Sequence, residues 1–145
     1  MRIGLVALLL VFSSMAAEAS CSCLTSTIAD DFVRSSAVFE ATAESVDRAS
    51  GKARVRVKKA WKTDGGDLTV VYSGFECDFP LLTKGKSYVL FAERSQSFWS
   101  FLPWVKEPLW VSLCSPSVPL EPVEFIDYYR SKTASVRQYL DGAKP

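Results

Sequence analysis

The chain has 145 residues, with 17 basic and 16 acidic side chains and a formal net charge of +1. Nucleic-acid-binding domains carry a strong basic excess, so this balance predicts no nucleic-acid partner. The sequence contains no histidine, which excludes a Ser-His-Asp triad, a histidine general base and a histidine-ligated zinc ion.

Residues 1–19 have the pattern of a secretory signal peptide. Arg2 supplies the positive start, residues 3–12 are apolar, and Ala17-Glu18-Ala19 is a small-x-small cleavage site that leaves Ser20 first. The apolar run is too short for a membrane anchor, and no later segment is long and apolar enough to span a bilayer. We therefore predict a secreted monomer, extracellular or periplasmic, with residues 20–145 forming a single domain.

Four cysteines follow the leader, at Cys21, Cys23, Cys77 and Cys114. In a small exported domain they predict two disulfides rather than a metal site. A Cys21–Cys23 bond would close a very tight ring, which disulfide geometry disfavours. Both remaining pairings tie the start of the domain to Cys77 and Cys114. A chain terminus is normally frayed, so one held by two long-range crosslinks is either a structural device or a preorganised binding element.

The next elements in chain order are a short helix and several strands. Residues 26–34 predict a helix with Ser26 as N-cap and with Ile28 and Phe32 on its buried face. Alternating or β-rich segments predict strands over residues 37–46, 52–61, 68–72, 87–92 and 97–102. In the second strand, Val55 and Val57 should point inward, while Arg54 and Arg56 should face water.

The remainder of the chain predicts an ordered loop followed by a helix. Residues 103–122 are punctuated by prolines and hold Cys114, with a short strand over 109–113. A helix should then run from near Pro122 to Gly142. One face of it should carry Ile126, Tyr129, Thr133, Val136 and Leu140. The pattern as a whole predicts an all-β fold with flanking helices, built as a small closed antiparallel barrel of five strands.

Three groups of side chains are candidates for other chemistry, and each has a structural interpretation that we favour. The basic residues Arg54, Arg56, Lys58 and Lys59 suit a polyanion or, more simply, the solvated face of a strand. The tryptophans Trp99, Trp104 and Trp110 suit a stacking surface or a loop folded over the core. The acidic pairs Asp30/Asp31 and Glu121/Glu124 suit helix-end charges better than acid/base catalysis. We predict no enzyme and no cofactor.

The order of these features resembles the netrin-like domain, in particular the inhibitory domain of the tissue inhibitors of metalloproteinases. The resemblance rests on Cys21-x-Cys23 at the predicted mature start, a short helix, an alternating strand that ends near Val46, and the segment Val55–Trp61 with a following lysine. It rests further on a loop cysteine at Cys77, the segment Gly85-Lys86-x-Tyr88-Val89-Leu90-Phe91-Ala92, and the late Cys114. It covers nearly the whole predicted mature chain. It implies a five-stranded oligonucleotide/oligosaccharide-binding (OB) barrel with disulfides Cys21–Cys77 and Cys23–Cys114.

The resemblance also implies a function. In the inhibitors, the amine and carbonyl of an N-terminal cysteine chelate the catalytic zinc of a metalloprotease, and the next side chain enters the specificity pocket. Carried onto this sequence, Cys21 is the chelator in trans and Ser22 the pocket residue. The rest of the predicted protease-binding wedge is Cys23, Leu24, Thr25, Glu76, Cys77 and Asp78.

Chelation requires Cys21 to be the mature N-terminus, whereas Ala17-x-Ala19 predicts Ser20 first. The alternative function is therefore a non-inhibitory netrin-like module that binds an extracellular protein or glycan.

Overall fold

The computed structural model describes residues 21–62, 67–74, 79–80, 82–94, 108–121 and 126–143. Within these ranges the elements are α1 (Ile28–Arg34), β1 (Ala37–Asp47), β2 (Lys52–Lys62), β3 (Leu68–Tyr72), β4 (Ser87–Arg94), β5 (Leu109–Val111), β6 (Val118–Pro119) and α2 (Ile126–Gly142). They confirm both predicted helices, four of the predicted strands and the short strand after Pro108. The strand predicted over 97–102 lies outside the described residues.

The strands close into a barrel. The order around the sheet is β1-β2-β3-β5-β4, and β4 pairs again with β1. The short β6 lies beside β4, where Val118 is opposite Val89. This five-stranded, OB-like barrel with a disulfide-bonded N-terminal segment and a C-terminal helix is the predicted fold class.

The prediction of an antiparallel barrel needs one refinement, because β3 and β5 are parallel. The other four pairings of the barrel are antiparallel. The reason is topological: strand directions cannot alternate all the way round a closed ring with an odd number of strands. At least one neighbouring pair must run the same way, and here that pair joins β3 to β5.

Period-two alternation puts one set of small and apolar side chains inside the barrel. On β1 these are Phe39, Ala41 and Ala43, each with about 1% of its surface exposed. On β2, Ala53 and Val55 are fully buried. Alanines on two adjacent strands leave room in a narrow barrel for the larger side chains of the other walls.

A second apolar cluster lies outside the barrel, between β1, β4, β6 and the helices. Its buried members are Val38, Val89, Phe91, Val118, Val136 and Leu140, and Ile28 and Phe32 of α1 pack against it. Both helices therefore cover the β1–β4 side of the barrel. Ile28 and Phe32 share the inner face of α1 as predicted, and they are half-buried.

Alternation along β2 follows the prediction except at Val57. Val55 is buried and Arg54 and Arg56 are exposed, but Val57 is only half-buried. The ladder between β2 and β3 ends at Arg56 opposite Leu68. Val57 lies one residue past the last β2–β3 pair. Its amide still donates to the Asp67 carbonyl at 2.8 Å, but β3 itself begins only at Leu68, so Val57 lies at the end of this wall of the barrel.

Replacing Val55 with alanine should lower the free energy of unfolding by about 2–3 kcal/mol, because buried methyl groups are lost and a cavity remains. The matched control is Arg54→Ala, one position away on the exposed face, which should change it by less than about 0.5 kcal/mol. Urea titrations of the two variants check the assignment of faces. Equal losses, or a larger loss for Arg54→Ala, would contradict it.

Candidate functional site

The segment that precedes α1 is irregular in structure and exposed along most of its length. Residues 21–27 have no regular secondary structure, Cys21 is half-buried, and residues 22–25 are exposed. We call residues 22–25 the N-terminal ridge. Its most prominent side chain is Leu24, with 86% of its surface exposed.

A disulfide fixes the ridge to the barrel. Cys23 is bonded to Cys114 across 91 residues of sequence, with their Cα atoms 5.3 Å apart. Cys114 lies in a turn directly after β5, and its amide donates to the Ser112 hydroxyl at 3.1 Å. Because β5 pairs with both β3 and β4, the bond joins the ridge to a turn that directly follows a strand held on both sides.

Of the two predicted disulfides, the structure confirms one and leaves the partner in the other untested. Cys23–Cys114 is confirmed. Cys21 is also disulfide-bonded, but its predicted partner Cys77 lies outside the described residues, so Cys21–Cys77 stays a prediction. Glu76 and Asp78, the other predicted wedge residues from that loop, lie outside the described residues as well.

The residues after the ridge begin α1 through a capping box. The Thr27 hydroxyl accepts from the Asp30 amide at 3.1 Å, and the Asp30 carboxylate accepts from the Thr27 hydroxyl at 2.7 Å and the Thr27 amide at 3.2 Å. The hydrogen bond from the Thr27 hydroxyl, and to a smaller extent the one from the Thr27 amide, hold the pKa of the Asp30 carboxyl below its ordinary value of 3.8. The prediction of Ser26 as N-cap was wrong by one residue, and the Thr27-x-x-Asp30 spacing is the sequence signal that identifies the true cap.

Ser26, the predicted cap, is instead hydrogen-bonded to Asp31. Its hydroxyl donates to both carboxylate oxygens of Asp31, at 2.9 Å each. Asp31 is only 5% exposed, and it is also paired with Arg34. Asp30 and Asp31 thus have separate structural roles in the first turn of α1, where the helix-end interpretation placed them.

Basic side chains hold the elements below the ridge together. The Lys62 ammonium of β2 donates to the carbonyl groups of Phe32 (3.3 Å) and Val33 (2.7 Å) at the end of α1. The Lys132 ammonium of α2 donates to the Ser115 carbonyl at 3.0 Å, one residue after Cys114. Burial lowers the pKa of Lys132, and the nearby Asp31 carboxylate opposes that shift.

Several of the other candidate side chains make structural contacts. Arg56 pairs with Glu44, and the Lys59 ammonium lies 4.6 Å from the Trp61 ring centroid. Trp110 stacks on Tyr72 with ring centroids 4.8 Å apart. Trp99, Trp104 and Glu124 lie outside the described residues.

Two findings concern the described part of the chain as a whole. It contains no group of three or more histidine, cysteine, aspartate or glutamate side chains placed to hold a metal ion. None of its helices has the length and apolar character needed to cross a membrane.

One exposed side chain near the ridge was missed by the sequence analysis. Leu113 precedes the disulfide partner Cys114 and has 37% of its surface exposed. The short strand predicted over 109–113 placed it in a ladder, whereas β5 ends at Val111 and Leu113 lies in the following turn. An apolar residue beside a cysteine that was predicted to be crosslinked to the segment before α1 was the available signal.

This arrangement suits binding rather than acid/base chemistry. An exposed segment whose neighbours are fixed by a disulfide and by hydrogen bonds can enter a partner's cleft with little loss of conformational freedom. Comparison of the chain with protein-family models and with curated proteins finds no match to either.

Proposed function

We propose that the protein is a secreted inhibitor of zinc metalloproteases that acts through the N-terminal ridge. The observation that carries the proposal is the ridge itself, exposed over residues 22–25 and crosslinked to the barrel by Cys23–Cys114. The resemblance to the tissue inhibitors of metalloproteinases supports the same assignment, because their wedge occupies the same place in the chain.

In this proposal the chain places a bidentate ligand on a metal that belongs to the target. A catalytic zinc ion keeps one position open for water, and a neutral amine and a carbonyl oxygen are suitable ligands for it. Cys21 supplies both groups when it is the first residue. Ser22 occupies the specificity pocket, and Leu24 contributes an apolar contact farther along the cleft.

The direct test is inhibition of a panel of zinc endopeptidases by protein that begins at Cys21. Stoichiometric loss of activity of at least one enzyme is expected, with the zinc remaining in the enzyme. If no member of the panel is inhibited, or if inhibition requires removal of the zinc, the proposal fails.

A specific observation favours a second candidate. The Ala17-x-Ala19 site leaves Ser20 before Cys21, which turns the Cys21 amine into an amide that cannot ligate zinc. In that form the protein would be a non-inhibitory netrin-like module that uses the ridge or the barrel loops to bind an extracellular protein or glycan. N-terminal sequencing of the exported protein distinguishes the two forms.

Leu24→Ala should weaken inhibition about tenfold, because the most exposed apolar side chain of the ridge loses its contact with the enzyme. The control is Val33→Ala, since Val33 is 75% exposed on α1 and lies outside the ridge. We expect the control to inhibit like the wild type. Inhibition constants against one sensitive protease decide the point, and equal effects of the two changes would remove Leu24 from the binding surface.

A further inference from the structure

The residue that follows the ridge is tied to a buried carboxylate. Ser26 is exposed, yet its hydroxyl donates to both oxygens of Asp31 at 2.9 Å. Asp31 is 5% exposed, and a buried carboxylate is costly unless it is paired and hydrogen-bonded. Its pairing with Arg34 and the proximity of Lys132 provide the opposite charge. Asp31 is therefore a buried and fixed carboxylate that accepts a hydrogen bond from the exposed Ser26 side chain.

The position of Ser26 gives this hydrogen bond its significance. Cys23 is held by Cys114, and Ser26 is held by Asp31, so only Leu24 and Thr25 lie between two fixed residues. One side chain, that of Lys132, interacts with both the region of the disulfide and Asp31. The Lys132 ammonium interacts electrostatically with the Asp31 carboxylate and donates to the Ser115 carbonyl, one residue after Cys114.

We propose that Asp31 is a positioning residue for the ridge: through Ser26 it holds Leu24 and Thr25 in the binding-competent conformation. The effect on inhibition rests on the proposed function, but the effect on the ridge does not. Loss of this hydrogen bond should leave the disulfide intact and allow the backbone at Leu24 and Thr25 to sample other conformations. Binding then has to restore the order that the free protein has lost.

The experiment compares Ser26→Ala with Thr27→Ala in ¹⁵N-labelled protein. Each change removes one hydroxyl at the start of α1, but Thr27 belongs to the capping box and Ser26 does not. Both variants should melt a few degrees lower, since each loses a hydrogen bond. Only Ser26→Ala should lower the amide order parameters of Leu24 and Thr25, from about 0.85 to below about 0.6. Ser26→Thr, which keeps the hydroxyl, should retain the wild-type values.

Inhibition provides the second readout. Ser26→Ala should raise the inhibition constant about tenfold, equivalent to about 1.4 kcal/mol, whereas Thr27→Ala should leave it within about twofold. Unchanged order parameters in Ser26→Ala, or equal loosening in Thr27→Ala, would overturn the positioning role. A ridge that loosens as expected in a protein that inhibits no zinc protease would confirm the positioning role and reject the proposed function instead.

Discussion

Protein that begins at Cys21 should lose its inhibition of a zinc endopeptidase when a single residue is added before Cys21. The extension converts the Cys21 amine into an amide, and the nitrogen of an amide does not bind zinc as a neutral amine does. The expected loss is at least a hundredfold in the inhibition constant, about 2.8 kcal/mol or more, because half of a bidentate metal contact disappears. Acetylation of the same amine should have the same effect.

The chain provides its own matched control for this experiment. Protein that begins at Ser20 differs from protein that begins at Cys21 by one natural residue, and both should form the Cys23–Cys114 disulfide. Equal melting temperatures would show that the extension changes the ligand and not the fold. If the extended form inhibits as strongly as the form that begins at Cys21, the ridge acts without amine chelation.

The dependence of inhibition on pH gives an independent check. Only the unprotonated amine binds metal, and an α-amine ordinarily has a pKa of about 7.7–8.0. Inhibition by the form that begins at Cys21 should therefore weaken as the pH falls below this range. Potency that does not change between about pH 8 and pH 6, measured with an enzyme that is active over that interval, would contradict chelation by the amine.

Removing the Cys23–Cys114 disulfide with the double change Cys23→Ala/Cys114→Ala should have the largest effect on stability. The bond closes a loop across a sequence separation of 91 residues, and the chain-entropy model gives roughly 4–5 kcal/mol for a loop of this size. Most domains have a total stability of only about 5–15 kcal/mol. Urea unfolding of the double variant measures the loss directly.

A second variant separates the contribution of the disulfide to stability from that of the hydrogen bond beside it. Ser112→Ala keeps the disulfide and removes only the hydroxyl that accepts from the Cys114 amide, so it should cost about 1 kcal/mol. The double variant should also inhibit poorly at temperatures where it is folded, because the ridge has lost its crosslink to β5. A loss of stability below about 1 kcal/mol in the double variant would show that the disulfide contributes little to holding the fold.

Local patterns in the sequence were sufficient for much of the secondary structure. The alternation around Val55 identified β2 and its buried face, and the apolar positions Val136 and Leu140 identified the inner face of α2. These signals are readable because a side chain's direction follows from its position in a strand or helix. The sequence also contains the Thr27-x-x-Asp30 signal of the capping box, but the prediction placed the cap one residue earlier, at Ser26.

The sequence predicted the arrangement of the candidate site only in part. Cysteine spacing predicted that the N-terminal segment would be tied down, but spacing alone left two pairings open. The hydrogen bond from Ser26 to Asp31 gave no sequence signal, because an aspartate in the first turn of a helix is ordinarily exposed. Asp31 is buried because α1 packs against the outer face of the barrel with this side chain turned inward.

The sequence by itself thus determined where both helices and five of the six described strands form, which faces of them are apolar, and that the segment before α1 carries crosslinking cysteines. Only the tertiary structure decided that β3 and β5 run parallel, that the β2–β3 ladder ends one residue before Val57, and that Asp31 is buried next to the residue that follows the ridge. The physical reason is the range of the interactions. Periodicity and capping act over a few residues, whereas barrel closure and the burial of a helix face depend on segments that are far apart in the chain.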